Sequence, residues 1–340
     1  MYNINTITDL HIELTDRCQA SCPMCARNVN GGKEREFVGK NEITLEVFKQ
    51  WFPSEFIKQL NHFYACGNYG DPIIARDCLE IYEYIRSLNN NCHLGIHTNG
   101  SARESKWWSD LAKVLGNNHT CTFGIDGFEH SHNLYRRGTN WQKIIDNASA
   151  FIKAGGHAEI DCLVFKHNQH EINQFQDKML TLGFKKINFK YTRRFYDMSE
   201  FPVEDKEGNI EYYLEPAIQE SVIEFLPLKK ISEDISIWEE KVSKSIIKPK
   251  CIEKNEIFVD SKGNVFPCCW IGSDWAEQPI PETMPIQKLR NLVVNDTKKK
   301  FEKIGIDNLN KIKIMELSWN NLNDTLQEIK PWTCVKNCYA

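Results

Sequence analysis

The stretch Cys18-Gln19-Ala20-Ser21-Cys22-Pro23-Met24-Cys25 follows a short strand-like run from Leu10 to Leu14. Its cysteines stand at i, i+4 and i+7, which puts three thiols on one tight loop. A closed zinc site or a plain ferredoxin cluster takes four protein ligands. Three thiolates point to a cluster with one coordination position left open, where a small molecule can bind and react. The plain alternative is a set of structural thiols in a reduced protein. It does not account for C-x3-C-x2-C directly behind a strand.

The stretch resembles the cluster motif of radical S-adenosylmethionine (SAM) enzymes. The resemblance implies that Cys18, Cys22 and Cys25 hold a [4Fe–4S] cluster whose fourth iron chelates SAM. It implies reductive cleavage of SAM to methionine and a 5′-deoxyadenosyl radical, which takes a hydrogen from a substrate. Met24 falls where the family carries an apolar or aromatic residue near the adenine.

The chain has 340 residues, enough for one large domain and a smaller one. Its hydrophobic fraction of 41% supports a sizeable core, and its net charge of −4 carries no extended nucleic-acid footprint. Lys298-Lys299-Lys300 reads as a solvated helix face. Thirteen cysteines with no basic-then-apolar leader fit a reducing compartment, where clustered cysteines bind metal or do redox work. No apolar run approaches membrane-spanning length. The expectation is a cytoplasmic protein.

Residues 1–200 alternate strand-like and helix-like segments. The strand candidates are Asp9–Leu14, His62–Cys66, His93–His97, Thr120–Ile125, Glu159–Phe165 and Lys186–Lys190. The helical patterns are Leu45–Glu55, Ala75–Leu88, Ser105–Leu115, Trp141–Ala154 and Glu171–Leu182. This is the signature of βα units on a parallel sheet. Six units are too few for a closed eight-stranded barrel. The fold class expected is α/β, a partial (β/α)6 TIM-like barrel, with a smaller C-terminal α+β domain.

The remaining motifs follow successive strands, at the ends where parallel barrels keep their chemistry. Cys66-Gly67-Asn68-Tyr69-Gly70-Asp71-Pro72 resembles the family's Gly-Gly-Glu-Pro segment, which binds the SAM amino group. Tyr69, Gly70 and Asp71 are therefore candidates, with Asp71 in place of the usual glutamate. Thr98-Asn99-Gly100 resembles a segment near the ribose and methionine of SAM. Gly124-Ile125-Asp126-Gly127 and the run to Gly138 resemble a segment of the subfamily with extra clusters. There Arg137, or Arg136, is expected to pair with the SAM carboxylate, and Asp126 to face substrate or hold the turn. His130 and His132 read as solvated polar residues. Asn168 falls in a turn near the adenine in relatives. Tyr191, Arg193 and Arg194 stand at the barrel mouth, against substrate or the second domain.

Glu200 to Glu215 reads as an irregular insertion, and Ile231 to Ile246 as a helix, within a linker over residues 201–250. The rest, 251–340, holds Cys251, a glycine-turn hairpin ending at Cys268-Cys269, and Cys334 with Cys338. A zinc ribbon is the simple alternative, although the first half lacks a paired knuckle. The arrangement resembles a twitch-like auxiliary-cluster domain. It implies a second [4Fe–4S] cluster on Cys251, Cys268, Cys334 and Cys338, with Cys269 as a substitute for Cys268. Cys66, Cys78, Cys92, Cys121 and Cys162 read as small buried apolar residues. Trp319 and Trp332 read as core or lid.

The resemblance implies an enzyme served by a reductant such as flavodoxin or ferredoxin. Its substrate is a small molecule or a peptide. The chain opens at its first strand, with no N-terminal peptide-recognition domain expected, so small-molecule oxidation is marginally favoured over peptide maturation. A non-catalytic iron–sulfur or zinc protein is the reading from another class.

Overall fold

The computed structural model describes residues 4–117, 119–192, 194–195, 198–218, 250–276, 304–305 and 338. The chain divides into two compact units, Ile12–Glu220 and Met1–His11 with Ser221–Ala340.

The first unit takes up the end of β1 (Asp9–Ile12) and runs through α1 (Leu45–Trp51), α2 (Ser54–Lys58), β2 (His62–Ala65), α3 (Cys78–Leu88), β3 (His93–Thr98), α4 (Ser105–Leu115) and β4 (Thr120–Gly124). It continues with α5 (Glu129–Tyr135), α6 (Trp141–Lys153), β5 (His157–Val164), α7 (Ile172–Leu182) and β6 (Lys186–Tyr191). Strands β2 to β6 are neighbours in chain order and every pair is parallel. Crossovers that always step the same way wind a barrel, whereas a doubly wound sheet reverses direction. Among the described residues the sheet is open, an α/β architecture of the partial-barrel kind.

Local chemistry sets the element ends. Thr44 and Asn140 cap α1 and α6 by accepting from Val47 N (3.3 Å) and Lys143 N (2.8 Å). The expected helix Leu45–Glu55 is two helices, because Pro53 has no N–H to continue the first. Trp108, Leu111 and Leu115 of α4 and Ile144, Ala148 and Phe151 of α6 are buried at helical spacing. They lie with Ile96, Phe123 and Ile160 in the core on the helix side of the sheet.

The segment Glu200 to Glu215 is not irregular. It is an antiparallel hairpin of β7 (Phe201–Glu204) and β8 (Ile210–Leu214). Asp205 makes the turn: its carboxylate accepts from Glu207 N (2.9 Å) and Asn209 N (2.8 Å), and Gly208 takes φ +94°.

In the second unit α8 (Lys250–Glu253) leads into β9 (Glu256–Val259), β10 (Asn264–Phe266) and α9 (Cys269–Ala276). β10 pairs antiparallel with β9 and with β11 (Ile304–Gly305), so the expected glycine-turn hairpin is present. The expected helix Ile231 to Ile246, the lysine run at 298–300, Trp319 and Trp332 lie outside the described residues.

Candidate active site

The cysteine loop leaves β1 and is pinned from several sides. Ser21 N donates to Arg137 O (2.7 Å), and Cys25 N to Cys22 O (3.0 Å). A Cβ on Gly138 would stand 2.7 Å from Gln19 O, so only glycine allows this approach. Asn99, at the end of β3, donates from Nδ2 to Cys18 Sγ (3.6 Å) and accepts from Gln19 Nε2 (2.7 Å). Cys18, Cys22 and Cys25 are all free thiols, Cys22 buried and the others half-buried. Burial pushes Cys18 well up, with Asp71, Cys22 and Cys25 adding to it. Burial also lifts Cys22 to about 11, against the pull of the Arg136 guanidinium. Met24 is buried with Ala20, Cys22, Tyr135, Phe165 and Phe195 in one apolar cluster.

Two carboxylates that the sequence reading did not assign this way tie the strand-end loops together. Glu13, 1% exposed, accepts from Tyr69 N (2.7 Å) and Gly70 N (3.0 Å). Asp71 accepts from Thr98 Oγ1 (2.8 Å), Asn99 N (2.7 Å) and Ile73 N (3.2 Å), and burial raises its pKa. Asp71 therefore couples the loops after β2 and β3, with three of its acceptor positions taken. The amides of Tyr69 and Gly70 are likewise taken, and the Tyr69 carbonyl accepts from Arg27 Nη1 (3.3 Å). Glu13 sits beside a run of apolar residues ending in Leu14; a lone acid in a buried strand end was the available signal.

Asp126 is fully buried. It accepts from Leu163 N (2.7 Å) and from Arg136 Nε (2.6 Å). Asn168 closes the turn after β5, accepting from Phe165 N (2.7 Å) and donating to Asp126 O (3.1 Å). Both hold the frame. His132 is buried rather than solvated: Nδ1 accepts from Asp126 N (3.1 Å) and Nε2 meets Thr139 Oγ1 (3.0 Å). His130 is exposed and pairs with Glu171 (3.2 Å).

The adjacent arginines part company. Arg136 is the one beside Cys22, its guanidinium against Gly124 and paired to Asp126. Arg137, expected at a SAM carboxylate, is instead engaged by the hairpin. It donates to Glu204 O (2.7 Å), pairs with Glu211 and lies over the Tyr212 ring. The reason is the hairpin itself, which was not foreseen. Arg194 donates to Met24 O (2.9 Å), Tyr191 is half exposed, and Arg193 is outside the described residues.

In the second unit Cys251, Cys268 and Cys338 are free and bear on one another. Burial raises the Cys251 thiol and the Cys268 and Cys338 thiols add to it; Cys268 is lifted to about 12. Cys334 lies outside the described residues. Among the described residues no three His, Cys, Asp or Glu side chains converge tightly enough for one metal ion. Of the remaining thiols, Cys78, Cys92, Cys121 and Cys162 are buried and Cys66 is half-buried.

A cysteine loop behind the first strand, with glycine and asparagine loops at the next strand ends, defines an α/β protein whose candidate site lies at those strand ends. Residues 12–179 match the model of the Radical SAM superfamily. The chain belongs to that superfamily and is an enzyme of it, with SAM, iron–sulfur and radical chemistry as its general equipment. In fold it is similar to Streptococcus suis SuiB bound to the precursor peptide SuiA, at 13% identity and TM-score 0.50, over 84% of this chain and 64% of that one. It is similar to SuiB bound to S-adenosylmethionine at 13% identity and TM-score 0.50, over 78% of this chain and 61% of that one. It is similar to anSMEcpe bound to AdoMet and the Kp18Cys peptide at 16% identity and TM-score 0.49, over 85% and 83%. The chain thus spans under two thirds of SuiB's length. Among the described residues no helix is long and apolar enough to cross a membrane.

Proposed function

We propose that this enzyme modifies a peptide or protein side chain. The observation that carries the reading is fold likeness to SuiB with its precursor peptide, over 84% of this chain. Small-molecule oxidation, marginally favoured by the sequence alone, has no such support.

Cys18, Cys22 and Cys25 would hold the SAM-binding [4Fe–4S] cluster. The donor set fits: three free thiols share one loop, with the Arg136 cation beside Cys22. That they do not converge on one ion is also in keeping, since each thiolate of a cluster binds a different iron. When bound, cluster and SAM supply the 5′-deoxyadenosyl radical that takes a substrate hydrogen. The chain's own residues do the rest. Met24 gives an apolar wall for the adenine. The backbone of Tyr69 and Gly70 would receive the SAM amino group. Asp71, Thr98, Asn99, Asp126 and Asn168 keep the loops in place, and Arg137 fastens the hairpin.

Cys251, Cys268, Cys334 and Cys338 would hold an auxiliary [4Fe–4S] cluster. The mutual influence of Cys251, Cys268 and Cys338 supports Cys268 as a ligand, with Cys269 as its substitute. The domain limits that go with this are 1–200, an insertion and linker helix over 201–250, and 251–340. A flavodoxin- or ferredoxin-type reductant in the cytoplasm completes the reading.

The test is anaerobic reconstitution with SAM and a reductant, then incubation with short peptides encoded beside the gene. Formation of 5′-deoxyadenosine together with a mass change on a peptide is expected. No 5′-deoxyadenosine would sink the SAM chemistry. Its formation with product only from small molecules would sink the peptide assignment.

A further inference from the structure

Parallel sheets in α/β proteins are normally apolar on both faces, because helices cover both. Here one face departs from that rule. On the helix side Ile96, Cys121, Phe123 and Ile160 are buried. On the other side the register sets His97, Thr122 and Glu159 in one row and Gly124, Asp161 and Asn188 in the next. Polar residues in a sheet interior mark a conflict between local choice and fold, and such conflicts gather at functional sites.

Asp161 on β5 is the centre of this face. Lys190 of β6 donates to its Oδ2 (2.6 Å), and Asn188 to its Oδ1 (3.2 Å). His97 of β3 brings Nδ1 to 3.8 Å from the same Oδ2, too far for a hydrogen bond. His97 and Asp161 approach across β4 because Gly124 puts no side chain between them. Over Gly124 lies the Arg136 guanidinium, 2.9 Å from where a Cβ would stand, and Arg136 also bears on Cys22. A polar track therefore runs from the cysteine loop to Asp161.

Stability does not explain the arrangement. The side chains of His97, Asp161 and Lys190 are 35%, 20% and 52% exposed. An ion pair that open is worth about 1 kcal/mol at most. The geometry instead resembles a receptor. The Asp161–Lys190 pair offers an acceptor and a donor side by side with no net charge. Burial holds His97 below its ordinary pKa, with Lys190 lowering and Asp161 and Glu159 raising it, so the ring is neutral at neutral pH. Glu159 is itself engaged by His157 (3.2 Å). A charged ligand group would leave one of these partners uncompensated, while a neutral group that both donates and accepts matches them.

We propose that Asp161, Lys190 and His97 are the recognition point for the substrate's side chain, and that they receive an uncharged hydrogen-bonding group, a hydroxyl or a carboxamide. This rests on the peptide reading above for the identity of the bearer.

The experiment titrates the reconstituted, SAM-loaded enzyme, carrying 13C-labelled histidine, with five probes. These are N-acetylserinamide, N-acetylasparaginamide, N-acetylaspartamide, N-acetyllysinamide and N-acetylalaninamide. The His97 ring signal is assigned by its loss in His97→Gln. Saturable shifts are expected with the serine and asparagine probes, and at least about tenfold weaker ones with the other three, as for sites built to hydrogen-bond their ligand. Asp161→Asn should weaken the serine and asparagine probes by about the same factor, while Glu104→Gln, at the remote surface, should not. Equal shifts from all five probes, or none from any, would overturn the assignment. The probes are not peptides undergoing reaction, so this failure is separate from failure of the peptide reading, which shows in product masses.

Discussion

Arg136 and Arg137 differ by one position and by everything around them. Arg136→Ala would strand the buried Asp126 carboxylate, at a cost of about 3–5 kcal/mol. Arg137→Ala loses a hydrogen bond to a carbonyl and a partly exposed ion pair, about 1–2 kcal/mol, and should leave SAM affinity unchanged. Urea midpoints and SAM titration of the two variants test this ordering. Two adjacent arginines before Gly138 are all the sequence shows of either, so spacing alone could not divide their roles. His132 was misjudged for a related reason: a histidine among polar loop residues looks solvated, and only the fold reveals that its Nδ1 caps a buried amide.

That histidine also makes stability depend on pH. Burial, with Arg136, depresses its pKa to about 4, while Asp126 opposes the shift. Unfolded, it titrates at an ordinary value of about 6.5, so between these values the unfolded chain binds the extra proton. Stability from this group is complete above about pH 6.5 and is lost as pH falls toward 4, by on the order of 3 kcal/mol. His132→Asn keeps an acceptor for Asp126 N. Its urea midpoint should fall less between pH 7 and 5 than the parent's, the remainder belonging in part to His119, likewise held near 4.

At the scale of elements, the strands and most helices of the first unit were legible because their apolar periods are clean. Ser105–Leu115 is found as expected, and the six strand candidates differ from β1–β6 by a few residues at their ends. The β7–β8 hairpin was missed because Pro202 and four acids obscure a short alternation. Its signal was nonetheless present. Asp205-Lys206-Glu207-Gly208-Asn209 has the pattern of Asp260-Ser261-Lys262-Gly263-Asn264, the turn that was recognised. In both, the aspartate accepts from the backbone of the asparagine at 2.8 Å. Val203 and Leu214 of the hairpin bury themselves on Cys22 and Met24. Leu214→Ala should lower stability by about 2–5 kcal/mol. It should also speed loss of the reconstituted iron in air, followed by absorbance and by iron released to a chelator. An unchanged decay would deny the hairpin any sheltering role.

For the whole molecule, two cysteine groups in two compact units predict about eight irons per chain if each holds a [4Fe–4S] cluster. Replacing Cys251, Cys268 and Cys338 together by Ala should leave about half. Iron analysis decides it, and stoichiometric zinc would refute the scheme. The first unit could be read from sequence because its contacts are made between consecutive βα repeats. The second depends on cysteines separated by a long gap, and spacing could not choose between Cys268 and Cys269. Substrate preference was the least legible part, since Asp161, Lys190 and His97 come from three strands and share no motif.

The carboxylates of Glu13 and Asp71 have a kinetic consequence. They take the amides of Tyr69, Gly70 and Asn99, three loop residues, and lie buried while doing so. Loop amides usually trade their protons with water quickly, because loops open at little cost. These three should trade theirs as slowly as the strands beside them, and Asp71→Ala should release Asn99 by orders of magnitude, which hydrogen–deuterium exchange can follow residue by residue. The socket is then stiff before anything enters it. Uptake of a ligand there would draw on little ordering of the chain, leaving its affinity to depend on the contacts themselves.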